Sequence, residues 1–181
     1  MMKKLRQKMQ KLTNKARGKV MNLFEALGLL GGAVATYRAG VVAEAAVNED
    51  RQVDTMARTI WGEARNQGAA GMQAVANVIM NRVKKGGWYG ATPAEVCKKK
   101  YQFSCWLEND PNYKKLISVD DSDRYFVQAK SIAQKAINDQ LGDITGGATE
   151  YHTTSIKPNW NYSKLQKTAS IGDHIFYKTI A

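Results

Sequence analysis

The strongest constraint on the fold is a pair of consecutive segments, on either side of Gly68, whose apolar residues recur at helical spacing. The first segment covers residues 53–64 and the second covers residues 69–85. The apolar positions are Met56, Ala57, Ile60 and Ala64 in the first segment and Met72, Val75, Ala76, Ile79, Met80 and Val83 in the second. An apolar stripe with this period is typical of a helix that packs one face into a core. The sequence therefore predicts two helices that end near Gly68 and near Gly86.

Further along the chain, other patterns predict a mainly helical domain with a small β element. Thr92-Pro93-Ala94-Glu95 is a strong helix start, because threonine caps and proline fits the first turn. A third apolar stripe with helical spacing predicts a helix over about residues 121–138. The segments 148–154 and 174–177 indicate short strands and loops, arranged as a hairpin with a long connection. The predicted fold class is therefore α+β.

The charge of the chain is concentrated at its amino terminus. The 181 residues carry a formal charge of +11, and residues 1–19 hold eight basic residues and no acidic one. Such a tail can contact nucleic acid, anionic lipid or an acidic polymer, or it can simply be solvated. The rest of the chain has no recognisable nucleic-acid-binding motif, which makes a nucleic-acid partner the weaker interpretation.

A short apolar segment follows the basic tail. Residues 26–37 are twelve uncharged residues, whereas a stable transmembrane helix needs about twenty apolar residues. The length suits the apolar core of a secretory signal. A loose membrane anchor and an amphipathic surface helix over about residues 5–47 are the alternatives, and membrane contact is expected only within residues 1–47. Polarity rises at residues 48–50, which predicts an extension over residues 1–50 and a domain over residues 51–181.

The cysteines and histidines leave little room for a metal site. Cys97 and Cys105 can form a short disulfide loop in an oxidising compartment, or they can remain two reduced thiols. His152 and His174 are the only histidines, and neither has a close ligand partner in the sequence. We expect no metal and no cofactor.

Glu63 is the residue that most directly indicates chemistry. It follows Trp61 and Gly62 near the end of the first apolar stripe. A carboxyl among apolar and aromatic side chains has its ionised form disfavoured and can keep a proton at neutral pH. Cleavage of a glycosidic bond needs such a proton donor. The alternative is an exposed glutamate at a helix end.

Six sequence blocks, taken in order, resemble a known family. They are Trp61–Arg65, Gly71–Arg82, Gln102–Trp106, Gly147–His152, Pro158–Trp160 and Ile171–Tyr177. Their order and spacing are similar to those of the cell-wall hydrolase family of the spore cortex-lytic transglycosylases, which also has phage and Gram-negative members. The resemblance implies a lysozyme-like fold. It also implies that Glu63 is the acid/base, and that the substrate is the β-1,4 bond between N-acetylmuramic acid and N-acetylglucosamine in peptidoglycan.

With that substrate, further residues become candidates for the site. Substrate contacts are expected from Gln102, Phe103, Ser104, Tyr151 and His152, with Tyr151 touching the reacting sugar and His152 supporting it. A hydrolytic muramidase would need a second carboxylate, for which Asp143 and Glu150 are the candidates. A peptidoglycan amidase or endopeptidase is another enzymatic alternative, and a protein that only binds the wall is the non-enzymatic one. The site of action would be the cell wall, in the periplasm or outside the cell. The protein would act in lysis as a phage endolysin, as part of a virion, or in wall remodelling.

Overall fold

The computed structural model describes residues 32–180. The basic tail and the first part of the apolar segment therefore lie outside the described residues. The chain divides into two compact units, residues 1–49 and residues 50–181. In the first unit, residues 32–49 are helical. Among the described helices, none is both long enough and apolar enough to cross a membrane.

Residues 32–180 contain five α-helices. These are α1 (Gly32–Ala64), α2 (Gly68–Lys85), α3 (Pro93–Lys98), α4 (Tyr113–Ser118) and α5 (Arg124–Ile137). The prediction of a helix over residues 69–85 is confirmed by α2 to within one residue. The first helix was expected from residue 53, and it begins at least 21 residues earlier, at Gly32. The sequence analysis did not predict α4, because six residues are too few to show a periodic stripe.

The β element is a three-stranded antiparallel sheet. Its strands are β1 (Glu150–Thr153), β2 (Leu165–Ile171) and β3 (His174–Thr179), in the order β1-β3-β2. The predicted segments 148–154 and 174–177 correspond to β1 and β3, which pair with each other. Strand β2 was not predicted. The described residues are thus mainly helical with a small sheet, which confirms the expected α+β class.

Helix α2 lies between two buried clusters, so nearly all of its middle is covered. On one side Met72 and Ile79 belong to a core that also contains Met56 and Ile60 of α1. On another side Ala74 and Val78 pack with Ala148 and Phe176, which brings the sheet against the helix. Because both clusters include residues of α2, this helix fixes where the sheet lies with respect to the end of α1.

A polar clamp fastens the β2–β3 hairpin to the α1–α2 connection. The Gln67 side-chain oxygen accepts a hydrogen bond from the Asp173 backbone N–H at 2.8 Å, and its amide group donates to the Asp173 carboxylate at 3.1 Å. Gly172 has a φ of +56°, and a Cβ there would meet the Gln67 oxygen at 2.4 Å. The hairpin therefore needs glycine at this position, both for its backbone angle and for the clamp.

Two other parts of the domain pack closely against the end of α1. A Cβ on Gly62 would come within 2.9 Å of both the Cys105 Cβ and a Leu116 methyl carbon. Glycine at position 62 therefore allows the segment around Cys105 and helix α4 to touch α1 beside Glu63.

We predict that Gly62→Ala lowers the free energy of unfolding by about 1–3 kcal/mol, because the added methyl overpacks this contact. The matched control is Gly40→Ala in the same helix, where a Cβ would have nothing within 4 Å. Thermal unfolding followed by circular dichroism measures both variants. A Gly62→Ala protein that melts at or above the parental temperature would contradict the close contact.

Candidate active site

Glu63 lies in the last turn of α1 and is half-buried. The Tyr151 hydroxyl on β1 donates a hydrogen bond to Glu63 Oε2 at 2.8 Å, across 88 positions of sequence. This contact joins the helical part of the domain to the sheet at a carboxyl group. It is the centre around which the candidate site is built.

Tyr151 is held rigidly by two aromatic neighbours on β3. Its ring stacks on Phe176 at 5.6 Å between centroids and meets the edge of His174 at 5.1 Å. Burial, followed by the charge of Glu63 and the hydrogen bond to it, raises the pKa of Tyr151 well above its ordinary value. Tyr151 therefore remains a protonated donor to Glu63. The sequence analysis expected it to touch the sugar, but its hydroxyl is engaged by the glutamate.

The Cys105 side chain lies beside Glu63, because it packs against Gly62, the preceding residue of α1. Burial, together with the nearby Glu63 charge, raises the pKa of Cys105, and burial raises the pKa of Cys97 to about 12. Both residues are buried free cysteines in the structure. Both cysteines are thus in the reduced form here, which is one of the two alternatives that the sequence left open.

Arg82 is the residue that sequence reasoning missed as part of the site. Its side chain is only 6% exposed, and its guanidinium donates to the Thr149 carbonyl at 2.8 Å and to the Gln102 carbonyl and side-chain oxygens at 3.4 and 3.3 Å. It also forms an ion pair with Glu150 at 3.5 Å and lies over the Phe103 ring at 4.9 Å. One buried charge thus ties α2 to the segment before Cys105 and to the start of β1.

The structure gives the three predicted contacts of the 102–104 segment different environments. Gln102 is held in place by its amide, which donates to the Tyr89 carbonyl at 2.8 Å, and by Arg82 on its oxygen. Phe103 is 3% exposed and belongs to the core, so its ring is covered in this structure. Ser104 is exposed, at the start of a short 3₁₀ turn, Ser104–Trp106.

His152 does not join Glu63, because neighbouring residues of a strand point to opposite faces of the sheet. Its ring stacks on Tyr177 at 5.4 Å and meets the edge of Trp160 at 5.5 Å. Its Nε2 lies 3.2 Å from the Tyr177 hydroxyl. In the structure His152 thus belongs to an aromatic cluster on the other face of the sheet, and its support for the reacting sugar stays a prediction.

Both candidates for a second carboxylate are engaged elsewhere. Glu150 accepts a hydrogen bond from the Tyr89 hydroxyl at 2.6 Å and is paired with Arg82. Asp143 accepts from the backbone N–H groups of Thr145 and Gly147 at 2.8 and 2.9 Å. Burial opposes ionisation of Asp143, but these bonds and those from the Thr145 hydroxyl and the Asn81 side chain lower its pKa. Asp143 therefore fixes its own loop, whereas Glu150 joins the start of β1 to Arg82 and Tyr89.

The site is defined by these contacts and not by the size of a cavity. A cavity of about 510 Å³ lies elsewhere, and its lining includes Asp54, Arg58 and Phe126 but not Glu63. Among residues 32–180, no group of three or more histidine, cysteine, aspartate or glutamate side chains is placed to hold a metal ion.

The candidate site is thus a half-buried glutamate held by a tyrosine, at the junction of a helical core and a small sheet. The family model for cell wall hydrolases matches residues 66–177, more than half of the chain. The protein therefore belongs to the cell wall hydrolase family. The matched range begins three residues after Glu63, so the role of Glu63 depends on the geometry.

Solved structures with the same fold support this assignment. The catalytic domain of the Bacillus cereus SleB protein is 26% identical, with a TM-score of 0.56, covering 71% of this chain and 91% of that one. The catalytic domain of the germination-specific lytic transglycosylase SleB from Bacillus anthracis is 27% identical, with a TM-score of 0.55, covering 71% of this chain and 94% of that one. A comparison with curated proteins finds no match.

We predict that neither thiol reacts readily with a thiol-specific aromatic disulfide reagent in the native protein at pH 7–8. Both are buried, and their raised pKa values leave almost no thiolate, which is the reactive form. After denaturation, two thiols per chain should react. Rapid labelling of the native protein, or a denatured chain without free thiols, would contradict the structure.

We predict that Tyr151→Phe keeps the fold and lowers the rate of peptidoglycan cleavage by about ten- to a hundredfold. A hydrogen bond to a charged group contributes about 1.5–3 kcal/mol, and each 1.4 kcal/mol is tenfold in rate. Tyr177→Phe is the matched control, because it removes the same atom from a tyrosine whose hydroxyl faces His152. Equal rates for the two variants would show that the bond to Glu63 has no part in the reaction.

Proposed function

We propose that this protein is a peptidoglycan lytic transglycosylase in which Glu63 is the only acid/base. The observation that carries the proposal is the hydrogen bond from Tyr151 to Glu63, found in a domain where Asp143 and Glu150 are both committed to structural contacts. Membership of the cell wall hydrolase family and similarity to a structure described as a lytic transglycosylase support it. The bond cleaved would be the β-1,4 link from N-acetylmuramic acid to N-acetylglucosamine.

In the first step, protonated Glu63 gives its proton to the glycosidic oxygen as the bond from that oxygen to C1 breaks. Positive charge develops on the sugar in an oxocarbenium-like transition state, while Glu63 becomes a carboxylate. The Tyr151 hydroxyl stabilises this new charge because it remains a donor throughout. A donor already aimed at the atom on which charge develops needs no reorganisation during the reaction.

In the second step, the Glu63 carboxylate takes the proton from the C6 hydroxyl of the same muramic acid. The C6 oxygen then bonds to C1 and gives a 1,6-anhydro end. The glutamate is protonated again, so the cycle closes without a second carboxylate and without water. A mechanism with a single carboxylate agrees with the hydrogen bonds of Asp143 within its own loop and with the ion pair between Glu150 and Arg82.

A hydrolytic muramidase is the second candidate, because family membership alone supports wall cleavage of either kind. In that mechanism Asp143 or Glu150 would have to leave its present partners to activate water or attack C1.

Activity on the wall also requires the domain to reach the wall. We propose that residues 26–37 act as a signal or loose anchor for this purpose, in wall remodelling or in phage-mediated lysis.

We predict that Glu63→Gln keeps the fold and lowers the release of soluble fragments from purified sacculi by about 10²–10⁴-fold, the usual contribution of a positioned acid. Asp143→Asn is the matched control, because it also replaces one carboxylate by an amide. It should retain most of the activity once thermal unfolding shows that it is folded. Parental activity in the Glu63→Gln variant would exclude Glu63, and loss of activity in folded Asp143→Asn would favour a two-carboxylate mechanism.

A further inference from the structure

Three consecutive lysines at the end of α3 each lie over a different aromatic ring. The Nζ of Lys98 is 4.9 Å from the Trp106 ring centroid, that of Lys99 is 4.8 Å from Trp88, and that of Lys100 is 5.0 Å from Tyr101. The Lys99 ammonium also donates to the Trp88 carbonyl oxygen. We call the five residues Lys98, Lys99, Lys100, Trp88 and Tyr101 the basic–aromatic patch.

The segment that contains most of the patch accounts for most of the net positive charge of the domain. Residues 84–100 contain five lysines and one acidic residue, whereas the other residues between 50 and 180 include 13 basic and 12 acidic ones. That single acid, Glu95, uses its carboxylate to accept a hydrogen bond from the Ala91 N–H at 2.7 Å. In the described part of the chain, Lys98, Lys99 and Lys100 form no salt bridge.

The aromatic members of the patch are unusually open to solvent. Trp88 is 64% exposed and Tyr101 is 75% exposed. Tyr101 also has a φ of +70°, in the left-handed region that a bulky residue rarely adopts. A helix carboxyl end explains one or two nearby lysines, since cations are favourable there. It does not explain two exposed rings beside them.

The patch is linked to the candidate active site through residues that neighbour it in the chain. Gln102, next to Tyr101, binds the carbonyl of Tyr89, the neighbour of Trp88. Three residues further on, Cys105 packs on Gly62, the residue before Glu63. Tyr101 of the patch therefore lies four residues before Cys105, which packs beside the proposed acid/base.

We propose that the basic–aromatic patch binds the peptide-bearing part of the glycan strand. Aromatic faces suit the apolar faces of sugar rings. The lysine ammonium groups suit the free carboxylates of the peptides that peptidoglycan carries on its muramic acid residues. This inference builds on the proposed function and adds a substrate preference: strands that bear stem peptides bind better than strands without them.

The test measures binding in the Glu63→Gln background, so that cleavage plays no part and the result does not depend on the reaction type. Lys99→Gln/Lys100→Gln is compared with Lys164→Gln/Lys167→Gln, which removes two charges from exposed positions in and beside β2. Affinity for intact sacculi is measured by sedimentation, and affinity for the soluble glycan strands that remain after an amidase removes the peptides is measured by calorimetry.

We predict that the Lys99/Lys100 variant loses about tenfold in affinity for intact sacculi, since exposed pairs contribute modestly, and that the Lys164/Lys167 variant loses little. Removal of the peptides should lower the affinity of the protein that keeps Lys99 and Lys100 by a similar factor. It should leave the affinity of the Lys99/Lys100 variant unchanged. Added salt should reduce only the lysine-dependent part.

Three results would overturn the proposal. The first is equal binding of the two double variants to intact sacculi. The second is an equal effect of peptide removal on the protein with and without Lys99 and Lys100. The third is tighter lysine-dependent binding to duplex DNA or to anionic vesicles than to sacculi, which would assign the patch to another partner.

Discussion

The buried guanidinium of Arg82 is the interaction on which the arrangement of the site depends. It is a charge within the core, and a buried charge is tolerated only when it is paired and hydrogen-bonded. Its partners are at Gln102 and at the Thr149–Glu150 start of β1, so those two segments must come together on α2. With β1 fixed in this way, Tyr151 faces Glu63.

The elements that the sequence predicted are those whose burial follows a local period. Helix α2 has an apolar stripe along its 18 residues and glycines at both ends, so its first and last residues could be predicted to within one position. The sequence offered a surface helix over about residues 5–47 only as an alternative, and it did not predict that this helix continues through residues 48–50, where the two compact units meet. No proline interrupts the helix there. Strand β2 was missed because it is defined by pairing with β3 and carries an irregularity between Lys167 and Ala169.

The pairing within the site could not be predicted, although Glu63 and Tyr151 were both candidates. It depends on the register of β1 against β3, and a slip of one residue would turn Tyr151 away and bring His152 to the inner face. Arg82 did leave a signal. It stands three residues after Ile79 on the apolar face of α2, where a charged residue requires a buried partner.

The most direct test of the account is the oxygen source at the new muramic acid end. Sacculi are digested in water enriched in heavy oxygen, and the soluble fragments are analysed by mass spectrometry. Intramolecular attack by the C6 hydroxyl predicts fragments that end in 1,6-anhydro muramic acid, lighter by one water and free of label. Reducing ends that carry the heavy oxygen would contradict it, because water would then have attacked C1.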